Sequence, residues 1–174
     1  MASFKDGIFR LHTRRFGTVA ELLVKRLINA RESHDSKYDL EQGNTRIECK
    51  FSRAQQKSSI SIRENTILQA ILEEANRDVP YELCENVQWD CNFQQIKKDL
   101  FDVLYYGIFF SDCLVIYKIN TKEIDGSIGY CDKQHRGNVG EGQFHINPRN
   151  IGLHDKYMYS ILDYEEIEKC LTSH

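Results

Sequence analysis

The spacing of apolar residues changes period several times along the chain, and each change predicts a different element. Between Gly17 and Arg31, the residues Val19, Leu22, Leu23, Leu27 and Ala30 recur at the interval that gathers side chains on one side of a helix. An amphipathic helix is predicted there, with Gly17 or Thr18 capping its start. Ser33 to Leu40 is rich in turn formers and ends in Lys37-Tyr38-Asp39-Leu40, which reads as a strand or the lead-in to one. Gln42-Gly43-Asn44 is a turn signal, and Thr45 to Phe51 then alternates polar with apolar residues, as a half-buried strand does. Together the two runs predict a hairpin.

Farther along, Ile67, Leu68, Ile71, Leu72 and Ala75 line one side of a second predicted helix, Glu64 to Arg77, which Pro80 closes. Phe93, Ile96, Leu100 and Leu104 give a broad apolar face to a third, Phe93 to Tyr106, with Gly107 placed as its C-terminal stop. Asp112 to Ile119 has the composition of a buried strand and is placed centrally in the sheet. Asp125 to Arg149 suggests short strands joined by polar loops, and Tyr164 to Leu171 a terminal helix. This order lacks the regular strand–helix alternation of a doubly wound parallel sheet. The expectation is an α/β fold, a single domain with a central mixed β-sheet flanked by helices.

Composition narrows the class. A chain of 174 residues can bury one core, and its aromatic and branched content suits a sheet. Met1 to Arg15 has no central apolar stretch and no segment is long enough to span a membrane, so a cytoplasmic location is expected. Six cysteines without C-x-x-C spacing read as free thiols rather than a zinc site, although a site built from Cys84, Cys91 and a distant partner stays open. The net charge of −3 hides a gradient: residues 1–63 carry 13 Lys or Arg against 7 Asp or Glu, while 64–112 carry 3 against 10. The basic end is the one expected to face a polyanion.

Chemistry concentrates on the predicted hairpin. Glu48 and Lys50 lie two apart on one strand and emerge on the same face, with Ile47, Cys49 and Phe51 on the other. A hairpin turn through Gly43 would bring the carboxylate of Asp39 beside Glu48. Two adjacent carboxylates repel unless a divalent cation lies between them, and Mg2+ prefers such oxygen ligands while retaining waters. Such a cation polarises a phosphodiester and makes water a stronger acid, and Lys50 is placed to orient that water or to offset charge developing on the phosphate.

An acid, a connecting turn and an acid-x-lysine strand, here Tyr38-Asp39-Leu40 and Glu48-Cys49-Lys50, resemble the PD-(D/E)xK nuclease superfamily. Asp35-Ser36-Lys37 also matches acid-x-lysine, so context separates the two: only Glu48-Cys49-Lys50 has strand periodicity and an upstream acid at hairpin distance. Tyr38 stands where the family name has proline. The likeness spans residues 17–54, about a fifth of the chain. It implies a restriction-endonuclease-like fold, with a catalytic core over about 17–120, and the catalytic residues Asp39, Glu48 and Lys50. Many members complete the metal site with a glutamate on a preceding helix, and Glu21 occupies that place. The implied activity is Mg2+-dependent, site-specific hydrolysis of double-stranded DNA, as in a type II restriction enzyme.

Substrate-holding residues are read from donors and acceptors. Arg53 and Lys57, in the run after Lys50, suit phosphate oxygens. The segment of about 126–150 gathers His135, Arg136, Asn138, Gln143, His145 and Asn147, side chains able to read base edges. Cleavage of both strands at one site by so small a chain suggests a homodimer matched to a palindrome. The alternatives are a structure-selective nuclease, such as a junction resolvase or repair nuclease, and a DNA-binding protein without catalysis; an RNA nuclease ranks below both.

Overall fold

Ser3 begins the chain's first helix, α1 (Phe4–Arg10), with a reciprocal cap in which Ser3 Oγ accepts from the Asp6 amide and Asp6 accepts from the Ser3 amide, both at 3.1 Å. The computed structural model describes residues 3–133 and 139–172. α2 (Thr13–Leu27) starts earlier than its predicted Gly17, because Phe16 joins Ala20, Leu23 and Val24 on the buried stripe. Gly17 is inside this helix rather than capping it.

The predicted hairpin forms as β2 (Leu40–Gln42) and β3 (Thr45–Arg53), paired Leu40 with Ile47 and Gln42 with Thr45. Gly43, at φ +60°, takes the first position of the two-residue loop, where a left-handed backbone lets the turn follow the strand twist. β1 (Arg31–Glu32) flanks β2.

The predicted third helix does not exist. Its residues form β4 (Cys91–Ile96), a short 3₁₀ turn at Lys98–Leu100 and the start of β5 (Val103–Phe109). All of β5 is buried, as expected for a strand with both faces covered. Gly107 is no helix stop. A Cβ there would lie 2.4 Å from the Phe51 ring and 2.9 Å from the Val115 carbonyl, so close packing between strands requires glycine.

β6 (Cys113–Asn120), β7 (Cys131–Lys133), β8 (Val139–Ile146), β9 (Met158–Asp163) and α4 (Tyr164–Thr172) complete the chain after α3 (Ile67–Ala75) and the strands above. The main sheet runs β1-β2-β3-β5-β6-β9, antiparallel except for the β3–β5 pair, and β4-β8-β7 form a second sheet. This is the mixed α/β architecture that the pattern predicts. β6 lies second from one edge rather than centrally, because β9, a strand with no clear alternation in sequence, adds outside it.

Two cores occupy the two faces of the main sheet. Phe16, Leu23 and Val24 of α2 and Ile167 of α4 pack with Ile47, Cys49, Val103 and Tyr105 on one side. Phe93, Ile96, Phe144 and Ile146 of the small sheet pack with Leu104, Tyr106, Val115 and Tyr117 on the other. The start of β3 is pinned to β5 by Arg46, whose guanidinium binds Asp102 through Nε at 3.1 Å and Nη2 at 2.8 Å, while its amide donates to the same carboxylate.

α3 is inverted. Its Glu73 accepts from the amides of Ser59 and Ile60, and Glu74 accepts from Ser58 Oγ, so the helix docks by its acids. Ile67, Leu68, Ile71 and Leu72 are left 46 to 73% exposed. Among the described residues no helix is long and apolar enough to cross a membrane. All six cysteines are unpaired; Cys49, Cys84, Cys91 and Cys113 are buried, and Cys131 is exposed.

Candidate functional site

Just before β2, Asp39 lies against the Ile47–Glu48 stretch of β3. Its backbone is held there by the Asp39 amide donating to the Ile47 carbonyl at 3.0 Å and by the Ser33 amide donating to the Asp39 carbonyl at 3.0 Å. The Asp39 side chain is fixed too, accepting from the Cys49 amide at 2.8 Å. Glu48 and Lys50 share the face of β3 that looks toward the small sheet, and the Lys50 ammonium donates to the Glu48 carboxylate. Asp39, Glu48 and Lys50 line one polar cavity of about 310 Å³ with Tyr38, Gln95 and Lys97.

Burial and charge set the protonation there. Glu48 is 9% exposed. Burial raises its carboxyl above the usual range and Asp39 adds to this, against the opposing pull of Lys50 and Lys97. For Lys50, burial pulls down, but the Glu48 ion pair and Asp39 outweigh it, so the net shift is upward. Lys50 is therefore a protonated donor at neutral pH, not a proton acceptor. Burial pushes the Cys49 thiol, which faces the helices, well up, so it contributes no thiolate.

Glu21 enters from α2, on the helix-covered side. It lines an adjoining cavity with Thr18, Tyr38 and Asp39. Burial, then the charge of Asp39, raises its carboxyl. Among the described residues no three His, Cys, Asp or Glu side chains converge as a metal cage. The donor set is thus a pair of hard carboxylates, Asp39 and Glu48, whose mutual repulsion a cation relieves. That fits a Mg2+ ion, which is commonly held by one or two carboxylates plus waters and phosphate. Glu21 is close enough to feel both acids without completing a cluster with them.

The expected substrate-holding residues are dispersed. The Arg53 guanidinium stacks over Phe16 at 4.1 Å from the ring centre and donates to the Leu11 carbonyl at 2.5 Å, tying the α1–α2 junction to β3. Lys57 is exposed on the loop beyond. Asn147 spends its side chain within a turn, where its Oδ1 accepts from the Arg149 amide at 3.0 Å. Gln143 and His145 lie on one face of β8, alternating with buried Phe144 and Ile146. His145 Nδ1 is 2.8 Å from an Asp90 carboxylate oxygen, and Gln143 Oε1 is buried without a partner among the described residues. His135, Arg136 and Asn138 lie outside the described residues.

Gln95 and Lys97 are the site residues that sequence reasoning missed. Gln95 belongs to β4 and Lys97 follows its last residue, in a stretch read from sequence as part of a helix. The surviving signal was the polar pair Gln94-Gln95 within the predicted apolar stretch. Comparison with family models, with curated proteins and with solved structures found no match.

Proposed function

We propose that the chain is a magnesium-dependent endonuclease acting on double-stranded DNA, of the type II restriction kind. The carrying observation is the pair of carboxylates, Asp39 and Glu48, brought together by a hairpin, with Lys50 on the same strand face as Glu48 in one polar cavity. The resemblance of these residues to the PD-(D/E)xK pattern supports the same reading, and a DNA substrate accords with a cytoplasmic setting and unpaired cysteines.

Mg2+, when bound by Asp39 and Glu48, supplies Lewis-acid polarisation of the phosphodiester and a more acidic water. The protein's own residues do the rest. Asp39 is oriented by the Cys49 amide, so its carboxylate presents the same atoms to each ligand. Lys50, kept protonated by Glu48, holds a phosphate oxygen and offsets its growing negative charge. β3 itself is fixed by Arg46 and Asp102, which limits drift of Glu48 and Lys50.

One cavity per chain meets one strand of a duplex, so cutting both in a single encounter calls for a second, twofold-related copy. The exposed stripe of α3 is the surface we assign to that contact, since contiguous apolar patches are seldom left open on monomers and a second copy would bury each stripe against its twin. Sedimentation should give a dimer for the parent and a monomer for Leu68→Glu/Ile71→Glu; a parent that stays monomeric at high concentration removes the assignment.

Activity is tested by incubating mixed-sequence duplex DNA with Mg2+ or with EDTA, for the parent, Glu48→Ala and Lys50→Ala. Discrete fragments that require Mg2+ are expected, with at least about 10²-fold loss in both variants. Circular dichroism verifies that the variants fold. Cleavage of branched junctions alone would redirect the reading to a structure-selective nuclease. Binding without cleavage would leave a DNA-binding protein.

A further inference from the structure

β4 breaks its own alternation. Cys91 and Phe93 point into the core, and a regular strand would send Gln95 and Lys97 after them. Instead the register slips between Phe93 and Ile96, Gln95 takes φ +59°, and Ile96 becomes the buried residue. A left-handed backbone at a non-glycine residue is strained, and bulges of this kind re-aim side chains. The re-aiming here delivers Gln95 and Lys97 to the cavity of Asp39, Glu48 and Lys50. The Lys97 ammonium rests 2.9 Å from the Glu141 carboxylate on β8.

Charge explains why a second cation matters. In the free protein Lys50 is paired with Glu48 and Asp39 adds a second carboxylate, so the grip on an incoming phosphodiester draws on further cations of the lining. Lys37 and Lys97 also line the cavity; Lys37 lies 3.6 Å from the Asp35 carboxylate, and the charge of Lys97 already bears on Glu48. The partner of Lys97 is a partly exposed carboxylate, and ion pairs open to solvent are weakly held. A phosphate oxygen in the cavity competes readily for the same ammonium.

We propose that Lys97 is a phosphate clamp of this cavity, parked on Glu141 in the free protein and transferred to a backbone phosphate of the nucleic acid when it binds. The inference rests on the nuclease reading and specifies which residue grips its substrate and which one restrains it. Gln95, at the bulge, positions the clamp.

The test is a titration of a fluorescein-labelled mixed-sequence duplex, with Ca2+ replacing Mg2+, against the parent, Lys97→Met, Glu141→Gln and the double variant, at several salt concentrations. Lys97→Met should weaken binding about 10-fold and reduce the salt slope by about one. Glu141→Gln should tighten binding several-fold, and that gain should vanish in the Lys97→Met background. A gain that survives there reflects net charge alone and overturns the clamp, as does parental binding by Lys97→Met. The Mg2+ cleavage assay separates the two ideas. If the parent cuts while Lys97→Met keeps its KM and kcat, the clamp alone fails; if the parent neither binds nor cuts, the nuclease reading fails and the clamp with it.

Discussion

One cross-strand row on a single face of the main sheet ends in two different environments. Lys50 of β3 is aligned with Tyr106 of β5, which is aligned with Tyr117 of β6. At the Lys50 end the row opens into a cavity and its polar groups are ionised and paired. At the other end it closes over a neutral cluster, in which the Tyr106 hydroxyl and His154 Nδ1 lie 2.9 Å apart and the rings of Tyr117, Phe93 and Phe144 surround them. Burial acts on both ends, but it leaves a charge only where an opposite charge was supplied. The closed end is a packing device, and the open end gives up packing for chemistry.

The largest effect should come from breaking the closed end. Phe93 stacks on Phe144 at 5.1 Å and meets Tyr106 edge-on at 5.8 Å, so it joins the small sheet to the main one. Phe93→Ala should cost about 3–5 kcal/mol in chemical denaturation. The same variant should loosen the placement of β4 and, with it, Gln95 and Lys97. A loss below about 1 kcal/mol would mean that the small sheet is held elsewhere.

Next in size is the response to acid. Burial, with a lesser push from Lys156, lowers the His154 pKa from 6.5 to about 4. The unfolded chain therefore binds a proton that the folded chain refuses between those values. Stability from this group is complete above about pH 6.5 and is lost as pH falls toward 4, by about 3 kcal/mol. Denaturation midpoints of the parent should fall across that window, and His154→Leu should flatten the fall. An equally steep fall in the variant would assign the acid sensitivity to carboxylates.

The two ends also differ in how far they could be read from the residues. Asp39, Glu48 and Lys50 were legible because a glycine turn and a period of two are local properties, and the turn alone fixes which residues face each other. β4 was not. Its bulge sets Phe93 and Ile96 three apart on the same buried side, and three is a helical interval; Leu100 and Leu104 extended the coincidence. Gly107 was read as punctuation because the Phe51 ring that excludes a Cβ there comes from a strand far away in sequence. Likewise, the outward face of α3 depends on Glu73 and Glu74 finding the 58–60 segment, a contact that no periodicity announces.

The smallest effect sharpens the open end. Glu21 is partly buried and faces Asp39, so its carboxyl is raised in the folded chain by burial first and by that charge second. A raised acid favours folding while it is protonated, below its unfolded value of 4.5, and loses that advantage as pH climbs through the raised value. At pH 7 the group is a small penalty, and Glu21→Gln should slightly stabilise the metal-free protein, with the gain shrinking as pH falls toward 4.5. Mg2+ turns this into an assay of its role. If Glu21 helps to hold the cation, Mg2+ should stabilise the parent more than Glu21→Gln and the gain should reverse in thermal melts; if both shift equally, the ion is held by Asp39 and Glu48 without it.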